Sequence, residues 1–247
     1  MSNPIVKLIN FTPRPIETML YVYKNMHGAV PEGLADIITD SDVTDELKED
    51  FVGYLAAEPL AGGVTEFVST VWCLKNVSRA FQQQLTRHRQ ASYSIQSLRI
   101  VPKEHFATDD DYHTPSNVKY EETYHRAMRG IEESYSEMVS LGENTEVARG
   151  ILPLNVCSPI TMSINLRSLV GLISARLCRM AQGEFRVVAE LMVKEIKLKM
   201  APELWLLFHA PCELSGLCPH ADGCGYKPRA AYCEGANTER MKNWVKR

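Results

Sequence analysis

A chain of 247 residues with 45% hydrophobic and 23% charged content has the composition of a soluble globular protein, long enough for one large domain or two small ones. A formal net charge of -3 excludes a general polyanion binder, which carries a strongly basic face, so no nucleic-acid partner is expected. No apolar run reaches the length of a membrane span, and the first seven residues lack the charged-then-apolar order of a signal peptide, so the expected setting is cytoplasmic with no membrane partner.

Arg14 to Met26 reads as a helix, with Ile16, Met19, Leu20 and Val22 roughly on one face. Residues 31–60 are acidic and broken by Pro31, Gly33 and Pro59; short helices are expected there, one around Asp45 to Ala56. Gly62-Gly63 marks a turn. Thr65 to Leu74 then alternates, with Phe67, Ser69, Val71 and Cys73 on one side, and predicts a strand with Glu66 near its start. Ser78 suits the N-cap of a helix from Arg79 to about Thr86.

The run Arg87 to Arg99 follows that helix. It sets three Arg, one His and three Ser within thirteen residues. It shows no apolar periodicity, so loop or extended chain is expected. Forked cations and small hydroxyls at this density suit a cradle for phosphate or a polyanionic small ligand. In a mildly acidic protein such a cluster is a local site rather than a nucleic-acid track.

Residues 102–114, with Asp109-Asp110-Asp111, read as an exposed loop. A long helix is expected from near Ser116 to Leu141, with Tyr120, Tyr124, Ala127, Ile131 and Tyr135 at helical spacing. Residues 145–150 begin a short helix that Pro153 interrupts. A helical region runs from about Leu166 to Met200, weakened by Gly171 and Gly183, with Phe185, Val188, Leu191, Met192 and Ile196 on its buried face.

Seven cysteines are an odd number, so a complete disulfide framework is not expected. Cys73, Cys157 and Cys178 sit in apolar or helical surroundings and read as small core residues. From Pro211 the chain turns Cys-, Gly- and Pro-rich and reads as an irregular extension. Cys212, Cys218, Cys224 and Cys233, with His220 nearby, suggest a structural zinc; free thiols and a disulfide are the alternatives.

Arg87-His88-Arg89-x-x-Ser92-x-x-x-x-Ser97-x-Arg99 resembles the RHRxxSxNxxSxR signature of the flavin-dependent thymidylate synthases (ThyX). Ser78-Arg79-Ala80-Phe81-x-x-Gln84 resembles the helix that leads into it. Ala148-Arg149-x-x-Leu152-Pro153, followed by Asn165-x-Arg167-Ser168-Leu169, resembles a second block of the family. Arg176 with Ala181-Gln182-x-Glu184-Phe185-Arg186 resembles a third. The match spans roughly residues 60–210 in the right order, and three blocks in register are far more specific than one short motif.

The resemblance implies an α/β fold with a central, mostly antiparallel β-sheet and long helices. It implies a catalytic domain over 1–210, a Cys-rich extension over 211–247, and a homotetramer with active sites at subunit interfaces. FAD would be the cofactor, NADPH the reductant, methylenetetrahydrofolate the one-carbon donor and dUMP the acceptor. By position, Arg87, His88, Arg89 and Gln90 would contact FAD together with Glu66, Asn165 and Arg167. Gln84, Ser97, Arg99, Arg149 and Arg176 would contact the nucleotide, and the Leu98 backbone would help hold its phosphate. Arg176 would be the catalytic residue, its fixed charge stabilising negative charge on the pyrimidine. No catalytic cysteine is implied.

The sequence also departs from the family pattern. Ser94 stands where the signature has Asn, and Ile95 where some members have Glu. Ala61 replaces a His commonly found five residues before Glu66, and Gly171 and Met180 replace an Asn and a His. These changes fall in the flavin and folate environment, whereas the phosphate-binding Ser and Arg are kept. Those at Ala61, Ser94, Ile95 and Met180 motivate one alternative, a flavin-dependent hydroxymethyltransferase acting on dUMP or dCMP; the basic cluster permits another, a non-catalytic nucleotide-binding homologue.

Overall fold

The computed structural model describes residues 3–29, 31–58, 61–220 and 223–227. Four strands form one sheet in the order β1-β2-β4-β3, and every neighbouring pair is antiparallel. In β1 (Ile5–Phe11), Val6 and Leu8 point into the core while Ile5, Lys7 and Ile9 face outward, the period-two pattern of a half-buried strand. Its register slips between Leu8 and Asn10.

β2 (Ser69–Lys75) is central and buries Thr70, Trp72 and Leu74. The strand therefore begins four residues later than expected. Ala61–Phe67 is a 3-10 helix, so Glu66 lies on a helical turn and Phe67 is exposed. Cys73 lies on the opposite face of β2 from the core and is only half-buried. The buried Thr70 hydroxyl donates to the Ile164 carbonyl (2.9 Å) and accepts from the Trp72 indole N–H (2.9 Å). No polar atom of that pair is left unmatched in the core.

β4 (Ile160–Asn165) pairs with both β2 and β3 (Ala91–Ile95). The expectation of no periodicity in the Arg-rich run is thus corrected. Ala91, Tyr93 and Ile95 are half-buried against the core, and Ser92 and Ser94 point out. Five residues of alternation lie hidden in a polar run because only three are apolar.

Helices cover the buried face. α1 (Pro15–Met26), α2 (Leu34–Thr39) and α3 (Asp45–Ala57) follow β1, close to expectation. α3 is capped by Thr44, whose hydroxyl accepts from the Leu47 N–H (3.2 Å). The expected single region 166–200 is two helices, α7 (Leu166–Leu177) and α8 (Gly183–Lys199). Gly171 lies inside α7 without breaking it, and the break falls at 178–182. On α8, Glu195 accepts from the Leu8 N–H (3.0 Å), and Lys199 bonds the Glu195 carboxylate (2.7 Å) and the Leu8 carbonyl (3.3 Å). These side chains cover part of the β1 edge, which would otherwise be open to pairing.

Between β2 and β3 lies α4 (Arg79–Leu85). Its N-cap, Ser78, accepts from the Phe81 N–H (3.0 Å) and itself donates to the buried carboxylate of Glu184, from Oγ (2.6 Å) and from its backbone N–H (2.7 Å). Phe81 packs edge-on against Phe185 at 4.6 Å between centroids.

α5 (Glu121–Ser140) starts later than expected, leaving Tyr120 exposed before it. The 102–114 stretch is not wholly an exposed loop. Phe106 and Tyr112 are buried and, with Leu98, Met128 and Val156, form a second apolar cluster. The short helix after α5 is α6 (Thr145–Ala148), continued by a 3-10 turn over Arg149–Ile151. The Cys-rich segment opens with a short helix, α9 (Pro211–Ser215).

Ser78→Ala removes the hydroxyl that both caps α4 and donates to Glu184, and keeps the backbone N–H that also donates to that carboxylate. It is expected to cost about 1–3 kcal/mol, seen as a lower urea midpoint with an unchanged slope.

Candidate active site

The turn after α4 carries Arg87, His88, Arg89 and Gln90. It is fixed from below by Tyr93, whose hydroxyl lies 2.9 Å from the Leu85 carbonyl and 2.8 Å from that of His88. Burial pushes the Tyr93 phenol up to about 12, so it stays a protonated donor at neutral pH. The side chains above it reach out. Arg87, Arg89 and Gln90 are exposed, and neither Arg has an ion-pair partner among the described residues.

The N-terminus of α7 faces this turn. Asn165 caps it, its Oδ1 accepting from the Ser168 N–H (2.9 Å), which leaves the Asn165 amide N–H groups to donate outward. The Ser168 hydroxyl donates to Gln90 Oε1 (3.0 Å). Arg167 pairs with Glu66 on the 3-10 helix (3.0 Å), both about half exposed, and stands over Gly63, where a Cβ would lie 3.5 Å from its guanidinium. Seven expected flavin contacts, Glu66, Arg87, His88, Arg89, Gln90, Asn165 and Arg167, thus come from three elements that meet at one surface.

His88 is the informative member of this group. Its Nε2 is buried and has no hydrogen-bond partner. Burial first, and the nearby charge of Arg176 least, hold its pKa below the ordinary histidine value, while a backbone hydrogen bond to Ser168 opposes them. A neutral ring with one orphaned buried nitrogen beside unpaired arginines fits an anionic, heteroaromatic group such as a flavin nucleotide, which could supply the missing partner.

The residues expected at the nucleotide fall into two sets. Arg176, near the end of α7, is half-buried with its guanidinium 4.6 Å above the Phe185 ring. Gln84 donates to Gln182 Oε1 (2.8 Å), which brings α4 to the start of α8. The other set lies past β3. Ser97 Oγ accepts from the Arg99 N–H (3.3 Å), Leu98 is buried in the second cluster, and Arg99 pairs with Glu146 (2.9 Å). Thr145 donates to the Arg99 carbonyl, fastening this loop to α6. Both Arg99 and Glu146 are about half exposed, so their pair is worth at most about 1 kcal/mol and a phosphate can replace it.

Arg149 is exposed rather than set against the core. Glu184 is not its partner, nor that of Arg176: this carboxylate is committed to Ser78, with His113 Nε2 at 4.0 Å. Arg149 instead approaches Arg79, whose pKa is lowered by burial first and then by that second charge. Arg79 is a residue that pattern reading passed over as part of a helix motif. Arg79 also donates to Gln82 Oε1 (3.0 Å), and two guanidinium groups near enough to repel each other attract an anion.

The four expected zinc ligands are placed unevenly. Cys212 and Cys218 are buried, Cys224 is exposed, and Cys233 lies outside the described residues. Cys157 and Cys178 are buried as expected. Among the described residues, no helix is long and apolar enough to cross a membrane.

The lowered His88 pKa has a pH consequence. Its folded value lies below the unfolded value of about 6.5, so the folded state resists protonation. Its contribution to stability is fully present above about pH 6.5 and is lost as pH falls toward the folded pKa. A proton NMR titration of the His88 ring should give a midpoint below 6.5; a midpoint at or above that value contradicts the burial argument.

The sequence model of the family described as thymidylate synthase complementing protein (Thy1) matches residues 7–203. The chain is 30% identical over 244 residues to the flavin-dependent thymidylate synthase of Nitratidesulfovibrio vulgaris, covering 92% of this chain and 96% of that one. It is 30% identical over 236 residues to that of Pyrococcus furiosus, covering 91% and 94%. Among solved structures it resembles the UMP/dUMP methylase PolB of Streptomyces cacaoi bound with 5-Br dUMP, with TM-score 0.65 and 20% identity over 83% of this chain and 94% of that one. It also resembles ThyX of Helicobacter pylori with FAD and dUMP, with TM-score 0.64 and 18% identity over 83% and 97%. The chain belongs to the flavin-dependent thymidylate synthase family.

Proposed function

We propose that this protein is a flavin-dependent thymidylate synthase that converts dUMP to dTMP. Methylenetetrahydrofolate would supply the one-carbon unit and NADPH the reducing equivalents. The observation that carries the reading is the single surface on which unpaired Arg87 and Arg89, the orphaned His88 nitrogen and the α7 N-terminus converge. FAD fits that surface, and when bound it supplies the hydride chemistry that side chains lack.

The chain's own residues bind and polarise. Arg87, Arg89 and Arg167 would neutralise the cofactor's diphosphate and Asn165 would donate to it, while neutral His88 would hydrogen-bond without adding charge. Ser97, the Leu98 backbone and Arg99 would take the nucleotide phosphate, Arg99 leaving Glu146 to do so. Arg149 and Arg79 would add positive potential on the same anion. Gln84 would read the base. Arg176 would face a pyrimidine carbonyl, stabilising negative charge that builds on the ring. The Phe185 ring beneath it, itself held edge-on by Phe81, limits the motion of its guanidinium.

Within one chain the Arg176 group and the Ser97–Arg99 group stand on different elements. This division favours a homotetramer in which a site is completed by a neighbouring subunit. Residues 1–210 would form the catalytic domain, with 211–247 appended to it.

A second reading is favoured by Ser94 and Met180, two departures from the family pattern that are both exposed. It is a hydroxymethyltransferase on dUMP or dCMP, carrying the same one-carbon unit to a less reduced product. Product mass from each nucleotide, with FAD, folate donor and NADPH, separates the two; dTMP from dUMP is expected. Protein that stays colourless after incubation with FAD overturns both.

Arg176→Ala is expected to lower kcat about 10²–10³-fold while the flavin absorbance of the purified enzyme is retained. Arg99→Ala should instead raise the nucleotide KM about ten- to a hundredfold, the loss of one charge-assisted hydrogen bond, with a smaller effect on kcat.

A further inference from the structure

Among the described residues, the chain after Phe208 joins neither hydrophobic cluster. Phe208 is the last residue of either hydrophobic cluster, Leu214 is exposed, and α9 has five residues. Yet Cys212 and Cys218 are buried, at 7% and 3% exposure. They line a cavity of about 560 Å³ whose other wall is the end of α7 and the flank of α8. Small segments that bury thiols but lack hydrophobic contacts are usually cross-linked by a disulfide or a metal.

Cys178, the buried residue that closes α7, stands on that wall with its Sγ 3.4 Å from His220 Nε2. Four free cysteines, of which Cys178, Cys212 and Cys218 are buried and Cys224 is exposed, line one cavity with the His220 imidazole.

We propose that Cys178, Cys212, Cys218 and His220 bind one zinc-class divalent cation that staples the C-terminal segment to the end of α7. Metal–sulfur and metal–nitrogen bonds of about 2.3 and 2.0 Å at a tetrahedral angle place the two ligand atoms about 3.5 Å apart. The Cys178–His220 separation has that value. Among the described residues no three ligand side chains already stand at metal-holding distance, so the Cys212 and Cys218 side chains must turn about χ1 to close the set. On binding, three S–H bonds give up their protons to solvent and three metal–thiolate bonds form, with neutral His220 as fourth ligand. The centre is left with a net negative charge; Arg179 lines the same cavity, as do Glu213 and the ion pair of Arg186 with Glu190 (3.8 Å). Arg179 also stacks on Tyr226 at 3.9 Å, a second tie between the segment and the α7–α8 corner.

The ligand set differs from one made of the tail cysteines alone. It draws Cys178 from the body of the fold and leaves exposed Cys224 out. Cys178 follows Arg176 by two residues, so the metal would also fix the corner on which Arg176 sits.

The full chain, purified under reducing conditions and loaded with zinc, should hold one metal per chain by mass spectrometry of the elements. Its cobalt form should show thiolate charge-transfer bands and tetrahedral ligand-field bands. Cys178→Ser, Cys212→Ser and Cys218→Ser should each retain less than a tenth of the metal, while Cys73→Ser and Cys224→Ser retain all of it. Should the first three variants fail to fold, alkylation mapping of the unaltered protein gives the same answer. Cys178, Cys212 and Cys218 should be protected with metal and labelled after chelation. Absence of bound metal, protection of Cys224 or Cys233 in place of Cys178, or an intact mass lower by two hydrogens from a disulfide would each overturn the assignment. None of these readouts depends on flavin or nucleotide, so the proposed activity stands or falls separately.

Discussion

A buried carboxylate holds the functional half of this molecule together. Glu184, in the first turn of α8, takes the N–H and the hydroxyl of Ser78, and Ser78 in turn caps α4. The charge sits where two helix N-termini meet, the place where backbone dipoles favour an anion. Directly below, Phe81 and Phe185 stack across the same pair of helices. α4 ends in the Arg-His-Arg turn, and α8 follows the corner that carries Arg176. Positions more than eighty residues apart in sequence are thereby set against each other by one polar contact and one aromatic contact.

The sheet supplies the other half of the frame. β3 is an edge strand, so its outward serines and the arginines before it are not covered by another strand. Tyr93 and Ile95 pin the strand to the core while the polar alternates face solvent. An anion site needs donors that are both fixed and uncovered, and an edge strand behind a short, capped helix provides both. The cost of leaving Arg87 and Arg89 unpaired is small because they remain in water until a ligand arrives.

Much of this was legible in the sequence where punctuation and periodicity agree. Ser78 before Arg79 marked α4, and Pro15 with the Ile16–Leu20 stripe marked α1. The signature residues marked the family, because forked cations and hydroxyls in register are rare by chance. Other features were hidden for physical reasons. β3 is short and half polar, so its alternation drowns among serines. Phe106 and Tyr112 are two aromatics in an acidic stretch, and burial there comes from packing under α5 rather than from any local pattern. The 3-10 turn at Ala61–Phe67 looks like the start of β2 because Val64, Phe67 and Val68 are apolar. The pairing of Arg79 with Arg149 is a tertiary fact, invisible to spacing.

The departures from the family pattern separate once the side chains are placed. Ile95 packs inward against the main cluster, so its replacement of an acid changes the strand's seat rather than the polarity of the open surface. Ser94 is on the outward face of β3. Gly171 lies on the exposed side of α7, with no atom within 4 Å of where a Cβ would be. Met180 is 52% exposed at the corner between α7 and α8. The three exposed positions share a loss of hydrogen-bonding reach: a serine, a glycine and a thioether stand where the family pattern has amides or an imidazole. None of them touches Ser97, Arg99 or Arg149. Divergence in this chain is thus concentrated where a flavin or folate ring would be positioned, while the cations suited to phosphate are untouched. Under the proposed function, these substitutions would bear on the choice of product rather than on capture of the nucleotide.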